Sequence, residues 1–187
     1  MTPIATLKHE HQVILMVLDA AQREARTIEA TGKVSVDRID KLVEFFRNFA
    51  DRCHHAKEEK QLFIRMADRG MAVEGGPIAV MLAEHEEGRR HIAAIAQSLP
   101  RASGGEASAI ASVREHLEAY LELLRQHIDK EDNVLYVMAD QVLTAEDQQE
   151  LAEAFERVEA KEMGEGIHEK YHQLAHELAE GWGGDIT

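Results

Sequence analysis

Hydrophobic positions recur every three or four residues along most of the chain, and the recurrence breaks only at a few points rich in Gly or Pro. Leu7, His11, Ile14, Leu18, Ala21, Ala25 and Ile28 form one stripe, which predicts a first helix opening at Thr2-Pro3 and closing at Thr31-Gly32. A second helix is predicted from a Ser35 cap to about Gly70, along the ridge Phe46, Ala50, His54, Glu58, Leu62 and Met66. Gly75-Gly76-Pro77 opens a third, carried by Ile78, Leu82, His85, Ile92, Ile95 and Leu99, and Pro100 with Ser103-Gly104-Gly105 predicts the next loop. The fourth runs from about Glu106 to Val142 on Leu117, Leu121, Leu124, Ile128, Glu131, Leu135 and Met138, with His127 beside the stripe. Thr144 and Asp147 have the spacing of a helix cap for a fifth helix ending near Met163. Gly164-Glu165-Gly166 allows a sharp turn into a sixth segment, Ile167 to about Glu180.

Four long stripes with short connections predict an all-α fold: an up-down-up-down four-helix bundle over residues 1–142, with a C-terminal helical extension over 143–187 packing on it. Composition agrees, since aromatics are few, Pro is scarce and Ala, Leu, Glu and Ile dominate. With 35 acidic against 21 basic residues the formal charge is −14, which argues against nucleic acid as a partner. Cys53 is the one cysteine, so no internal disulfide forms, and a buried apolar role is expected for it. No basic-then-apolar leader and no bilayer-length apolar run is present, so a cytoplasmic protein with no membrane partner is expected.

The chemistry begins where the stripes stop being apolar. His54-His55-Ala56-Lys57-Glu58-Glu59-Lys60-Gln61-Leu62-Phe63 is echoed by His127-Ile128-Asp129-Lys130-Glu131-Asp132-Asn133-Val134-Leu135-Tyr136, and each is preceded at a nearly equal interval by a Glu-His pair, Glu10-His11 or Glu84-His85. Helical residues four apart share a face, so each copy stacks an imidazole beside a carboxylate. In a bundle the stripes bring His11, His54, His85 and His127 to one interior with Glu58 and Glu131. Burying two carboxylates costs several kcal/mol each, on the order of what only pairing or a metal offsets. Lys57 and Lys130 sit at matching positions and offer a structural alternative. A pair of dications explains the repetition better, and mixed imidazole and carboxylate donors suit iron, manganese or zinc. Two equivalent half-sites imply one centre of two ions with the glutamates as bridges.

These motifs resemble the hemerythrin-like (HHE cation-binding) family. Glu10-His11, His54-x-x-x-Glu58, Glu84-His85 and His127-x-x-x-Glu131 fall in that family's order and on its helices, over roughly residues 4–142. The resemblance implies a non-haem di-iron site that meets dioxygen, peroxide or nitric oxide, for oxidant handling or sensing. Two alternatives are a di-iron redox enzyme that dismutates peroxide and an iron- or oxygen-responsive interaction protein. The chain departs from the oxygen carriers in having Arg89 four residues after His85, where they have a second histidine, which favours reactivity or sensing over carriage. His127 and Asp132 also satisfy their fourth-helix pattern, so Asp132 competes with Glu131 as the bridge; Glu131 is preferred because it repeats Glu58.

Two octahedral ions need more donors than four His and two Glu. Water, a bridging oxide or hydroxide, His55 or Glu59, or a group from outside the bundle fills the rest. His55 and Glu59 lie one residue out of phase with the ridge and are expected at the periphery of the site. His168-Glu169-Lys170-Tyr171-His172 matches the His-Glu-x-x-His zinc pattern, but no third ligand follows it. The expectation is an amphipathic lid packed through Tyr171, Leu174 and Leu178, with His168 or His172 facing the metals. Trp182 is expected as a packing anchor. The partner implied is a small diatomic or peroxide ligand.

Overall fold

The computed structural model describes residues 1–162, 164 and 166–180, and among these every regular element is helical. Helix α1 spans Pro3–Thr31, α2 residues 36–68, α3 Pro77–Ser103, α4 residues 107–142, α5 Ala145–Glu162 and α6 Ile167–Ala179. The first four pack in ring order, each against its sequence neighbours, and α4 closes the ring on α1. This is the expected bundle. The expectations for Met163, Glu165 and Trp182 lie outside the described residues.

Local chemistry sets most of the ends. The Thr2 hydroxyl accepts from the Ala5 N–H at 3.2 Å and Pro3 opens α1, while Gly32 closes it at φ 63°, a left-handed conformation that costs a glycine little. Ser35 holds the position before α2 but makes no side-chain cap bond. Pro100, expected in a loop, instead lies in the last turns of α3. Losing one N–H near the end of a helix costs less than exposing Leu99 and Ala102, which the continued helix buries.

Helices α2 and α4 are not uniform α-helices. Residues Phe46–His55 and Glu58–Leu62 of α2, and Glu131–Leu135 of α4, take the wider π turn. Its five-residue spacing is explicit where Ala56 N–H donates to Asp51 C=O, Phe63 N–H to Glu58 C=O and Tyr136 N–H to Glu131 C=O. A wider turn reduces the rotation between successive side chains, so adjacent residues share an inward face. Residues 53–58 are all buried as a result, because α5 covers the side of α2 that the bundle leaves open.

The apolar core is in two parts. One, around Leu18, Phe45, Phe49, Ile95 and Leu121, fills the half of the bundle holding the 31–36 and 103–107 connections. The other, around Leu7, Leu62, Met66, Ile78 and Leu135, fills the opposite half. A layer of buried His, Glu and Lys separates them. The C-terminal helices share both parts: Leu151 and Phe155 of α5 join the second, and Tyr171, Ala175 and Leu178 of α6 join the first. No helix of the described residues is long and apolar enough to cross a membrane.

The α5 cap forms as a reciprocal box with Asp in place of the usual Glu or Gln. Thr144 N–H donates to Asp147 Oδ2 at 2.8 Å, and Asp147 N–H returns to Thr144 Oγ1 at 3.2 Å. The same carboxylate accepts from Arg69 Nε at 2.7 Å and from Arg65, which fastens α5 to the end of α2 and holds the Asp147 pKa below the usual carboxylate range. Asp147→Ala is expected to lower the melting temperature by several degrees and speed proteolysis within α5, while the bundle keeps its helical circular-dichroism signal.

Candidate metal centre

Five imidazoles meet in the polar layer: His11 from α1, His54 and His55 from α2, His85 from α3 and His127 from α4, all at least 95% buried. Four have Nδ1 hydrogen-bonded to a carboxylate. His11 donates to Asp132 at 2.8 Å, His54 to Glu10 at 2.9 Å, His85 to Glu59 at 2.7 Å and His127 to Glu84 at 2.8 Å. His55 Nδ1 faces Asp51 at a looser 3.5 Å. A carboxylate on Nδ1 fixes the ring and leaves Nε2 as the free, more basic donor, the arrangement that supports metal-binding histidines.

Glu58 and Glu131 lie between the rings. Glu58 Oε2 is 3.7 Å from His54 Nε2 and 3.5 Å from His85 Nε2. Glu131 Oε2 is 3.2 Å from His11 Nε2, and Oε1 is 3.1 Å from His127 Nε2. Each carboxylate therefore spans both halves. His54 Nε2, Glu58 Oε2 and both oxygens of Glu131 are buried without an aligned hydrogen-bond partner, and His85 Nε2 faces His127 Nε2 at 3.0 Å. Lone pairs aimed at one another in a dry interior are costly unless a cation lies among them. The donors group accordingly, His55, Glu58, His85 and His127 in one set and His11, His54 and Glu131 in the other. The residues fit a pair of metal ions.

The structure also gives the rest of the repeat a role. Lys57 pairs with Glu10 and Lys130 with Glu84, so in each half the lysine holds the carboxylate that holds the histidine. The last aromatic differs between copies. Tyr136 donates to Glu58 Oε1 at 2.6 Å and lies 3.4 Å from His11 Nε2, whereas Phe63 at the matching place packs its ring on His85.

Glu59, expected at the periphery, holds His85 from outside, and Asp132, the competitor of Glu131 as bridge, holds His11 in the same way. His55 is inside, its ring stacked 3.8 Å from that of His85. The π turn brings it there, and regular α-helical spacing gave no signal of this. Arg89 donates to Asp51 at 2.8 Å and Glu59 at 2.6 Å, the two carboxylates behind His55 and His85. In α6, His168 Nε2 lies 3.6 Å from Glu10 Oε1, and His172 stacks with His9 and meets Phe49 edge-on. Neither belongs to the two inner donor sets. Glu10, Glu159 and His168 make a third acid–imidazole group, but the Lys57 ammonium already pairs with both of its carboxylates. Cys53 is fully buried, and burial pushes its thiol up to about 12, so it stays protonated.

Among known proteins, a bundle with inward imidazoles and carboxylates at mid-height defines a class of cation-binding helical domains. The Hemerythrin HHE cation binding domain matches residues 2–139, and the chain belongs to that family. It is also similar to an uncharacterized protein of Mycobacterium bovis and two of Mycobacterium tuberculosis, each 22% identical over 85% of this chain. The matched region spans 62% of the length of each of those relatives. No solved structure matches the chain.

Electrostatics set the proton inventory. Burial and the Glu131 charge push the Glu58 carboxyl well above its ordinary range, whereas Glu131, against the effect of burial, is held low by the charge of His127 and by His11. Burial opposes protonation of His127, but Glu131 and Glu84 together push it up to about 9. Burial brings His54 down to about 4 despite Glu10. At neutral pH His127 therefore carries a proton that a cation must displace, and the raised Glu58 carboxyl favours holding one too. Metal loading at pH 7 is expected to release protons, and affinity is expected to rise with pH until His127 is deprotonated near pH 9. Calorimetric titration in buffers of different ionisation heat measures this; uptake without proton release would contradict the assignment.

Proposed function

We propose that this protein is a non-haem di-iron protein that binds or reacts with a small oxidant: dioxygen, peroxide or nitric oxide. The observation that carries the reading is the set of buried, inward and unpartnered donor atoms on Glu58, Glu131 and the histidines between them. His55, His85 and His127 would hold one ion, His11 and His54 the other, with Glu58 and Glu131 shared. The donor types suit iron, manganese or zinc, and iron is the choice that gives redox work to a site of this family. Iron held by these residues would supply electrons to a small oxidant.

The chain itself contributes orientation and protons. Glu10, Glu59, Glu84 and Asp132 hold four rings by their Nδ1 atoms. Tyr136, kept neutral by burial and by the Glu131 charge, holds a proton at Glu58 Oε1. That O–H favours a second reading, a peroxide-dismutating enzyme, because breaking an O–O bond to give water consumes protons. The partner proposed in either case is the oxidant itself.

Elemental analysis of iron-supplemented protein is expected to give two iron ions per chain, close enough to share carboxylates, at about 3.5–4 Å. Glu58→Ala and His55→Ala are expected to lose iron, His9→Ala to retain it, and Glu131→Ala to lose more than Asp132→Ala. A single ion, or mononuclear zinc, would overturn the di-iron reading. Optical spectra with dioxygen, peroxide and nitric oxide then separate a stable adduct from turnover, and rapid oxygen release from peroxide selects the enzyme.

A further inference from the structure

A cavity of about 140 Å³ lies beside the metal centre, between α2, α3 and α4. Its inner end is His55 and His85, and its walls are Phe46, Ile92, Leu124 and the ring of Tyr120. All four wall residues are at least 95% buried. Gly88 shapes it: a Cβ there would meet Tyr120 Cε2 at 3.3 Å, so any side chain would press on the ring.

Tyr120 is 97% buried, yet among the described residues its hydroxyl makes no hydrogen bond; burial and the Asp51 charge keep it a neutral O–H. Buried tyrosine hydroxyls ordinarily find a partner. Tyr136, the other tyrosine of α4, has one in Glu58. Of the charged groups lining the cavity, Arg89 holds Asp51 and Glu59, Glu84 takes His127 and Lys130, and Arg47 is exposed. A charged guest would meet no unmatched buried counter-ion, and a solvent-exposed arginine offers it little. The size is informative, because an enclosed apolar space of about 150 Å³ accepts benzene; this one is similar in volume and partly open to solvent.

From the cavity volume, its apolar walls and the unpartnered Tyr120 hydroxyl, we infer a binding site for a neutral, phenol-sized ring bearing one oxygen acceptor. The ring packs on Phe46, Ile92 and Leu124, its oxygen accepts from Tyr120, and the guest abuts His55 and His85. A small oxidant is far smaller than this space, so the site is for a second, organic molecule beside the centre. Its occupation depends on the cavity and not on metal.

Calorimetric titration of the full chain with phenol, metal-free and iron-loaded, tests this; the metal-free arm keeps the outcome separate from the di-iron reading. Saturable binding to the metal-free protein is expected. Tyr120→Phe, which keeps the ring, is expected to weaken phenol about five- to tenfold, the worth of one hydrogen bond, and to leave benzene binding unchanged. Gly88→Val, with folding checked by circular dichroism, is expected to abolish both by crowding the Tyr120 ring. Three results would each overturn the inference. They are no saturable phenol binding up to about 10 mM, equal phenol affinity in the wild type and Tyr120→Phe, and benzoate binding as tightly as phenol.

Discussion

Two carboxylates in the middle of a helical core are the constraint on which the rest of this structure depends. Glu58 and Glu131 are completely buried, and apart from the Tyr136 hydroxyl on Glu58 the atoms facing them are imidazole nitrogens rather than a matched set of N–H donors. Such groups destabilise a fold by several kcal/mol each, on the order of a large part of a domain's net stability, unless a cation joins them. The apolar core is split to make room for them. Around the inner ring stands a second ring of acids, Glu10, Asp51, Glu59, Glu84 and Asp132, which turns the imidazoles inward. A third layer, Lys57, Arg89 and Lys130, neutralises all of those acids except Asp132. Every charge in this part of the molecule has its place relative to that central pair.

Much of this was legible in the sequence. The three- and four-residue recurrence gave the helices, and the polar interruptions of those stripes gave His11, His54, Glu58, His85, His127 and Glu131, which the structure brings together. The Glu-His pairs and the paired lysines were visible as repetition. Their job was not, because a hydrogen bond from one helix to its neighbour leaves no trace in either helix's periodicity. His55 was obscured for a different reason. Reading a helix at regular α spacing puts neighbouring residues on different faces, and the π turn of α2 removes that separation.

Arg89 shows how a departure from a family pattern can be compensated at a distance. The oxygen-carrier pattern would put a histidine there. Here the guanidinium reaches the acids behind His55 and His85 instead, and His55 brings an imidazole in from the adjacent helix. Five imidazoles therefore face the centre, two of them from α2.

The duplicated motif has also ceased to be symmetric with respect to water. Lys57 is fully buried, under α5 and beside Glu159, whereas Lys130, its counterpart, is 39% exposed. Mobile ions screen exposed pairs strongly and buried ones weakly. Dissolved salt therefore acts on the Lys130–Glu84 pair behind His127 and scarcely on the Lys57–Glu10 pair behind His54. Ionic strength can bias one half of the centre against the other. Electrically, one inherited pattern has become an insulated electrode and a bare one.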